Sequence, residues 1–205
     1  MKSAVEARGI KYLVHFTRVE NLSSIFKNGL LPVNYLNAKG MDFQFNDQFR
    51  YDDCEDANCL SIQFPNYRMF SKYRFQDKSV DWAVLGIRPE VLWEKDCVFC
   101  VENAASSSER SKSLKERKGI EAFNRLYDEY PGKPTRKQLG LSDSYATHPQ
   151  AEVLAFGLIE PKYIGGIAFK DKLTRNKYDS LVPSNIKADV VERLFTYRSD
   201  YEVWR

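Results

Sequence analysis

The stretch IKYLVHFTRVENLSSIFKNGLLP, residues 10–32, carries two structural periods in succession. IKYLVHFT alternates and is rich in β-branched and aromatic residues, which predicts a strand over 10–17. Leu22, Ile25 and Phe26 then fall at helical spacing, Gly29 supplies a stop and Pro32 lies just beyond, which predicts a helix directly after the strand. Outward from this unit, residues 33–58 show no sustained period and many Asn, Asp and Gly; they predict a long loop with a short helix, packed by Phe43, Phe45, Phe49 and Tyr51. CLSIQF (59–64) predicts a strand ended by Pro65, and YRMFSKYRFQ a short helix. Strands are predicted at 82–88 and 97–101, and a helix within 106–130 from the spacing of Ile120, Phe123 and Leu126. Residues 131–150 read as a Pro-, Gly- and Ser-rich loop, and YIGGIAFKD and KADVVERLF as strand-like segments. No repeat or linker interrupts the order, which describes one α+β domain over 1–205.

The totals exclude several classes. The 205 residues carry 43% hydrophobic and 29% charged side chains, a soluble globular composition. Aromatics reach 14%, which suits half-buried strands or stacking surfaces. A net charge of +3 does not by itself announce a nucleic-acid binder. No apolar run approaches the ~18 residues of a membrane span, and MKSAVEARGIKYLVHF has no signal-peptide pattern, so a cytoplasmic protein without membrane contact is expected. Two histidines rule out a His-rich metal centre. A zinc site would need Cys54, Cys59, Cys97 and Cys100 to converge, yet KDCVFCVEN reads as a strand that sends Cys97 and Cys100 to opposite faces. Buried free thiols and no metal are the expectation.

HPQAEVLAFGLI (148–159) reads as a further strand with one residue out of place. Alternation sets Glu152, Leu154, Phe156 and Leu158 on one face, so an acid leads an apolar row. Burying an unpaired carboxylate costs several kcal/mol, so Glu152 is paired, protonated, or set at a cleft where charge is useful. His15 shares a strand face with Thr17 and is either a satisfied core histidine or a ligand-facing one. Arg50 has Asp52 and Asp53 at hand as ion-pair partners. The chain holds no phosphate-binding G-x-x-x-x-G-K-[ST], no G-x-G-x-x-G after a strand, no G-x-S-x-G and no H-E-x-x-H.

His on the first strand, an aromatic in the middle and Glu on a late strand together resemble the H-Y-E order of ADP-ribosyltransferases. HFTRVENLSSIFKNGLLP, Arg50 in the following loop, LSIQFPNYRMF and QAEVL resemble, more closely, the DarT family of DNA ADP-ribosyltransferase toxins. The resemblance covers about residues 10–160. It implies two small, mostly antiparallel sheets with helices around them, and NAD consumed in the cleft between. It also implies catalytic roles for Glu152 and Arg50: Glu152 on the ribose, where positive charge develops, and Arg50 at the pyrophosphate or the accepting base. The first piece would bind NAD through His15, Phe16, Thr17, Asn21 and Ile25, with the turn at Gly29 and Leu30. The middle piece would contribute Ser61, Phe64, Tyr67 and Met69, with Phe64 or Tyr67 stacked on nicotinamide. FCVENAASS suggests the guanine-modifying subgroup over the thymine-modifying one.

The substrate is expected to be single-stranded DNA, held by the 131–150 loop through Lys133, Arg136, Lys137, Tyr145 and His148, which alternate cations with rings. RSKSLKERK offers either a backbone track or a solvated helix start. The resemblance further implies a monomer opposed by a DarG-type macrodomain antitoxin, in toxin–antitoxin or phage-defence systems. The alternatives are an ADP-ribosyltransferase of protein or RNA, and a non-catalytic binder of nucleotides or nucleic acid. A binder of the diphosphate alone has little use for Glu152.

Overall fold

The computed structural model describes residues 1–38 and 54–205. The elements, in chain order, are α1 (Lys2–Ala7), β1 (Leu13–Arg18), α2 (Leu22–Asn28), α3 (Val33–Ala38), β2 (Ala57–Ile62), α4 (Tyr67–Gln76), β3 (Trp82–Ile87) and α5 (Val91–Glu94). They continue with β4 (Cys97–Cys100), α6 (Ser107–Arg110), α7 (Gly119–Arg125), β5 (Glu152–Phe156), β6 (Ile164–Phe169), α8 (Lys172–Tyr178) and β7 (Lys187–Val190). The α+β expectation holds. Among the described residues, no helix is long and apolar enough to cross a membrane.

The two-sheet expectation is corrected. The strands form one seven-stranded sheet in the order β4-β5-β2-β1-β3-β6-β7, antiparallel throughout except for the β6–β7 pair. Its halves are nevertheless joined by a narrow seam. β1 pairs with β3 along its whole length, from Leu13↔Ile87 to Arg18↔Trp82. With β2 it shares only Leu13↔Ile62 and Val14↔Ser61, after which the two strands part. A seam of two residue pairs lets one continuous sheet behave locally as two.

Alternating side chains feed separate cores on the two faces. Leu13, Leu60, Leu85, Val153, Ala155 and Ile167 join the main core with Leu22 and Ile25 of α2 and Phe123 of α7. On the other face, Val14, Phe70, Trp82, Val84 and Phe195 form a second cluster, and Leu154, Val98, Cys100, Cys54 and Ala104 a third. Cys97 and Cys100 accordingly sit on opposite faces of β4. The 106–130 helix contracts to α7, and Ile120, the first residue of its expected stripe, is 41% exposed. KADVVERLF turns into a 3₁₀ segment after Val190, and α1 and α8 had no clear sequence signal.

The end of α2 is locked to the exit of β5. Leu30 and Ile159 exchange backbone hydrogen bonds of 2.9 and 3.0 Å, while buried Asn58 donates to the carbonyls of Leu30 at 3.3 Å and Gly157 at 2.8 Å. Gly29 makes this approach possible. Its φ is +84°, and a Cβ there would lie 2.3 Å from the Ile159 carbonyl oxygen. Gly132 also has positive φ (+74°) but faces open space. Gly29→Ala therefore lowers the unfolding free energy by about 3 kcal/mol, from strain plus overlap, against about 1 kcal/mol for Gly132→Ala. Urea unfolding of both variants measures the difference.

Candidate active site

Glu152 opens β5, between β4 and β2. It pairs with Cys100 on one side. On the other, continuing the Leu60↔Val153 register by one residue sets it level with Ser61. Ser61 in turn pairs with Val14, the residue before His15. Residues 14, 61 and 152 thus form one row across the sheet, at the point where β1 and β2 part. Register brings together residues far apart in sequence.

The carboxylate of Glu152 is 5% exposed. The Ala104 N–H donates to Oε2 at 2.8 Å, and the amides of Asn103 and Asn66 donate to Oε1 at 3.2 and 3.4 Å. These three donors are neutral amides that fix the direction of the group. The acid at the head of an apolar row is held by a cradle of amides.

His15 lies beside the gap, half-buried. Its Nδ1 is 3.0 Å from the Cys59 carbonyl oxygen. A carbonyl only accepts, so Nδ1 carries the proton and Nε2 presents a lone pair. Burial pulls the imidazole below its ordinary pKa, against the Cys59 bond, and keeps it neutral at pH 7. On the same strand Thr17, 2% exposed, accepts from the Asn21 amide at 3.2 Å. An imidazole acceptor and a threonine–asparagine pair can bind sugar hydroxyls.

Between β2 and α4 the chain makes a strained turn. Gln63 has φ +63°, and the Phe64 N–H returns to the Ile62 carbonyl at 2.7 Å, closing a three-residue loop. The turn is held from outside: Gln63 Oε1 accepts from the N–H groups of Lys11 and Tyr12, at 3.1 and 2.9 Å. It delivers Asn66, 1% exposed, to the start of α4, where Oδ1 accepts the Met69 N–H and the other end of the amide serves Glu152. Ser61 Oγ accepts the Asn66 N–H at 3.2 Å. Tyr67 is 5% exposed and packs edge-on against Tyr197, with ring centroids 5.6 Å apart. Burial, aided by Asp200, pushes its phenol pKa up. Phe64 lies 6.2 Å from the ring of Tyr145 in the 131–150 loop.

Other expected site residues have structural partners. Phe16 stacks on Phe70 at 4.6 Å; Ile25 and Leu30 belong to the main core. Arg50 lies outside the described residues. In the loop expected to meet DNA, Arg136 donates to the carbonyls of Tyr145 and Ser142 and to Thr147 Oγ1, and Lys133 to the Val203 carbonyl. His148 packs between Tyr130 and Trp204. All three are half-buried and tied to the fold on at least one side. Lys137 is exposed and Tyr145 lies against Phe64. Buried Arg198 completes the loop: it donates to the carbonyls of Ala146 and Thr147 and pairs with Asp200, which also accepts from Trp204. In RSKSLKERK, Arg117 is 5% exposed, while Lys112 and Lys118 pair with Glu109 and Asp96.

Gln63, Asn66, Asn103 and Ala104 escaped the sequence reading. Asn66 had a signal, an N-cap residue just before the helical run that starts at Tyr67. A backbone N–H such as that of Ala104 has none.

A family model described as "ssDNA thymidine ADP-ribosyltransferase, DarT" matches residues 14–197. Among solved structures, Thermosipho africanus DarTG in complex with ADP-ribose is similar at TM-score 0.65 and 17% identity, over 90% of this chain and 51% of that one. The chain thus spans about half of that protein's length. Thermus sp. 2.9 DarT is similar in its complexes with carba-NAD+ (TM-score 0.60, 12% identity, 91% and 98% of the two chains) and with ADP-ribosylated ssDNA (0.59, 12%, 92% and 97%). A search of curated proteins returned no match. The thymidine in the family description overturns the guanine preference drawn from FCVENAASS. That stretch instead supplies Asn103 and Ala104 to the Glu152 cradle.

Burial holds the His148 pKa down at about 4, against 6.5 for a free imidazole. Between those values the unfolded chain takes up a proton that the folded protein refuses, so stability rises with pH across this window. The unfolding free energy falls as pH is lowered from about 6.5 towards 4.5, and His148→Gln flattens the slope in urea titrations at stepped pH.

Proposed function

The chain belongs to the DarT family, and we propose that it transfers ADP-ribose from NAD to thymine in single-stranded DNA as one catalytic domain. The observation that carries this reading is the row of residues 14, 61 and 152, which sets a buried, amide-held carboxylate two strands from β1 at the point where the strands part, with the neutral imidazole of His15 on the next residue of β1.

The chemistry follows from charge. The bond between nicotinamide nitrogen and ribose C1′ breaks with its electron pair going to nicotinamide, which becomes neutral. Positive charge spreads over C1′ and the ring oxygen. Glu152, fixed beforehand by Ala104, Asn103 and Asn66, stabilises that charge without reorganising. A thymine nitrogen then bonds to C1′ and gives up its proton to water. His15 Nε2 accepts from a ribose hydroxyl, Thr17 and Asn21 set the sugar's pose, and Tyr67 or Phe64 stacks on nicotinamide. Arg50 is assigned the electrostatic role at the pyrophosphate, because guanidinium stays protonated. Lys137 and Tyr145 are the loop groups that face the strand. The likeness to DarTG supports an antitoxin partner of the DarG macrodomain type.

Incubated with NAD and homopolymeric strands, the protein adds one ADP-ribose mass to thymine-containing DNA only; modification confined to guanine strands, or to protein, overturns the assignment. Glu152→Ala lowers kcat by at least about a hundredfold. His15→Ala raises the Kd for NAD about tenfold and changes saturated turnover less, as calorimetry and kinetics on one preparation show.

A further inference from the structure

α4 starts in the candidate site with Tyr67 and ends beside a second concavity. That cavity, of about 360 Å³, lies between the end of α4, the start of β3 and the β6–α8 turn, and Arg74, Phe75, Lys78, Trp82 and Lys170 line it. It opens on the sheet face that carries Trp82 and Phe195, opposite the face where α2 packs. Three features mark it as built for an anion beside rings. Its rim is cationic. The two carboxylates on it are engaged elsewhere: Asp81 with Lys177 and the Tyr178 hydroxyl, both at 2.7 Å, and Asp171 with Thr174 at the start of α8. Two of the lining residues also carry unspent N–H donors. Trp82 is only 6% exposed, yet its indole Nε1 has no hydrogen-bond partner among the described residues, and the same holds for the buried Nε of Arg74. Buried donors are rarely left unpaired, so both would gain from an acceptor held in the cavity. Finally, Phe75 stands 60% exposed at the edge, with the Arg74 guanidinium 5.5 Å over its ring.

We propose that this cavity receives a backbone phosphate of the single-stranded DNA, a few nucleotides from the modified base, with Phe75 as a platform for the neighbouring base. The proposal rests on the functional reading above and extends it. Seven residues of helix separate Tyr67 from Arg74, about 10 Å, so one strand can reach both the reacting base and the cavity. Cations interleaved with rings are what sequence-tolerant single-strand grooves use.

The test uses the full chain, a long thymine-containing strand and the shortest strand that is still modified. Lys78→Gln and Lys170→Gln alter exposed side chains; Arg74→Gln and Phe75→Ala complete the set. Fluorescence anisotropy without NAD reports binding, and product mass reports turnover. For the long strand, Kd and KM rise about tenfold in the Lys78→Gln/Lys170→Gln double variant while kcat holds. The salt slope of binding flattens by about 0.7 for each phosphate no longer neutralised, and the short strand is unaffected. Equal losses on long and short strands, or none on either, overturn the phosphate site while leaving the transferase reading intact. Failure of the unaltered protein to modify any strand would remove both.

Discussion

The imidazole of His15 stands where a backbone pair between β1 and β2 would otherwise form. Two register pairs hold those strands together, and then a side chain takes over, reaching the Cys59 carbonyl across the gap. This substitution has two effects. It gives the Cys59 carbonyl a partner where the strands part. It also fixes which ring nitrogen is bare, because the carbonyl accepts the only proton a neutral imidazole has. Opening the sheet and baring one ring nitrogen are one event.

The two proposed site groups are held by different physics. His15 is kept neutral by burial and presents a lone pair. Glu152 is oriented by amides of the backbone and of two asparagines. The cradle is spread over two segments, the Asn66 cap of α4 and the turn after β4, and the first is set by the strained bend at Gln63. That bend persists because the N–H groups of Lys11 and Tyr12 over-determine it.

What could be read from the sequence follows from what leaves a periodic or local trace. Gly29 marked the end of α2, and the alternation around His15 placed it on the face of Thr17, because both depend on neighbours in the chain. The misplaced acid in HPQAEVLAF was visible for the same reason. Its partners were not: an N–H at 104 and amides at 66 and 103 reach position 152 only through strand order. Periodicity also cannot tell a solvated face from a second core, and β5 is buried on both sides. The cationic loop hid its own bonding in the same way: folding directs Arg136 donors to carbonyls of the same loop, which composition does not reveal.

The tie between that loop and the last turn of the chain shapes how the protein can be recombined. Arg198 reaches two loop carbonyls and Asp200, which in turn receives Trp204, while Lys133 donates to the Val203 carbonyl. Residues 131–150 and 196–204 are therefore one module in space though two in sequence. A chimera that grafts the loop from a relative without its C-terminal companion would strand a buried guanidinium, so the two segments are exchanged as a pair or not at all.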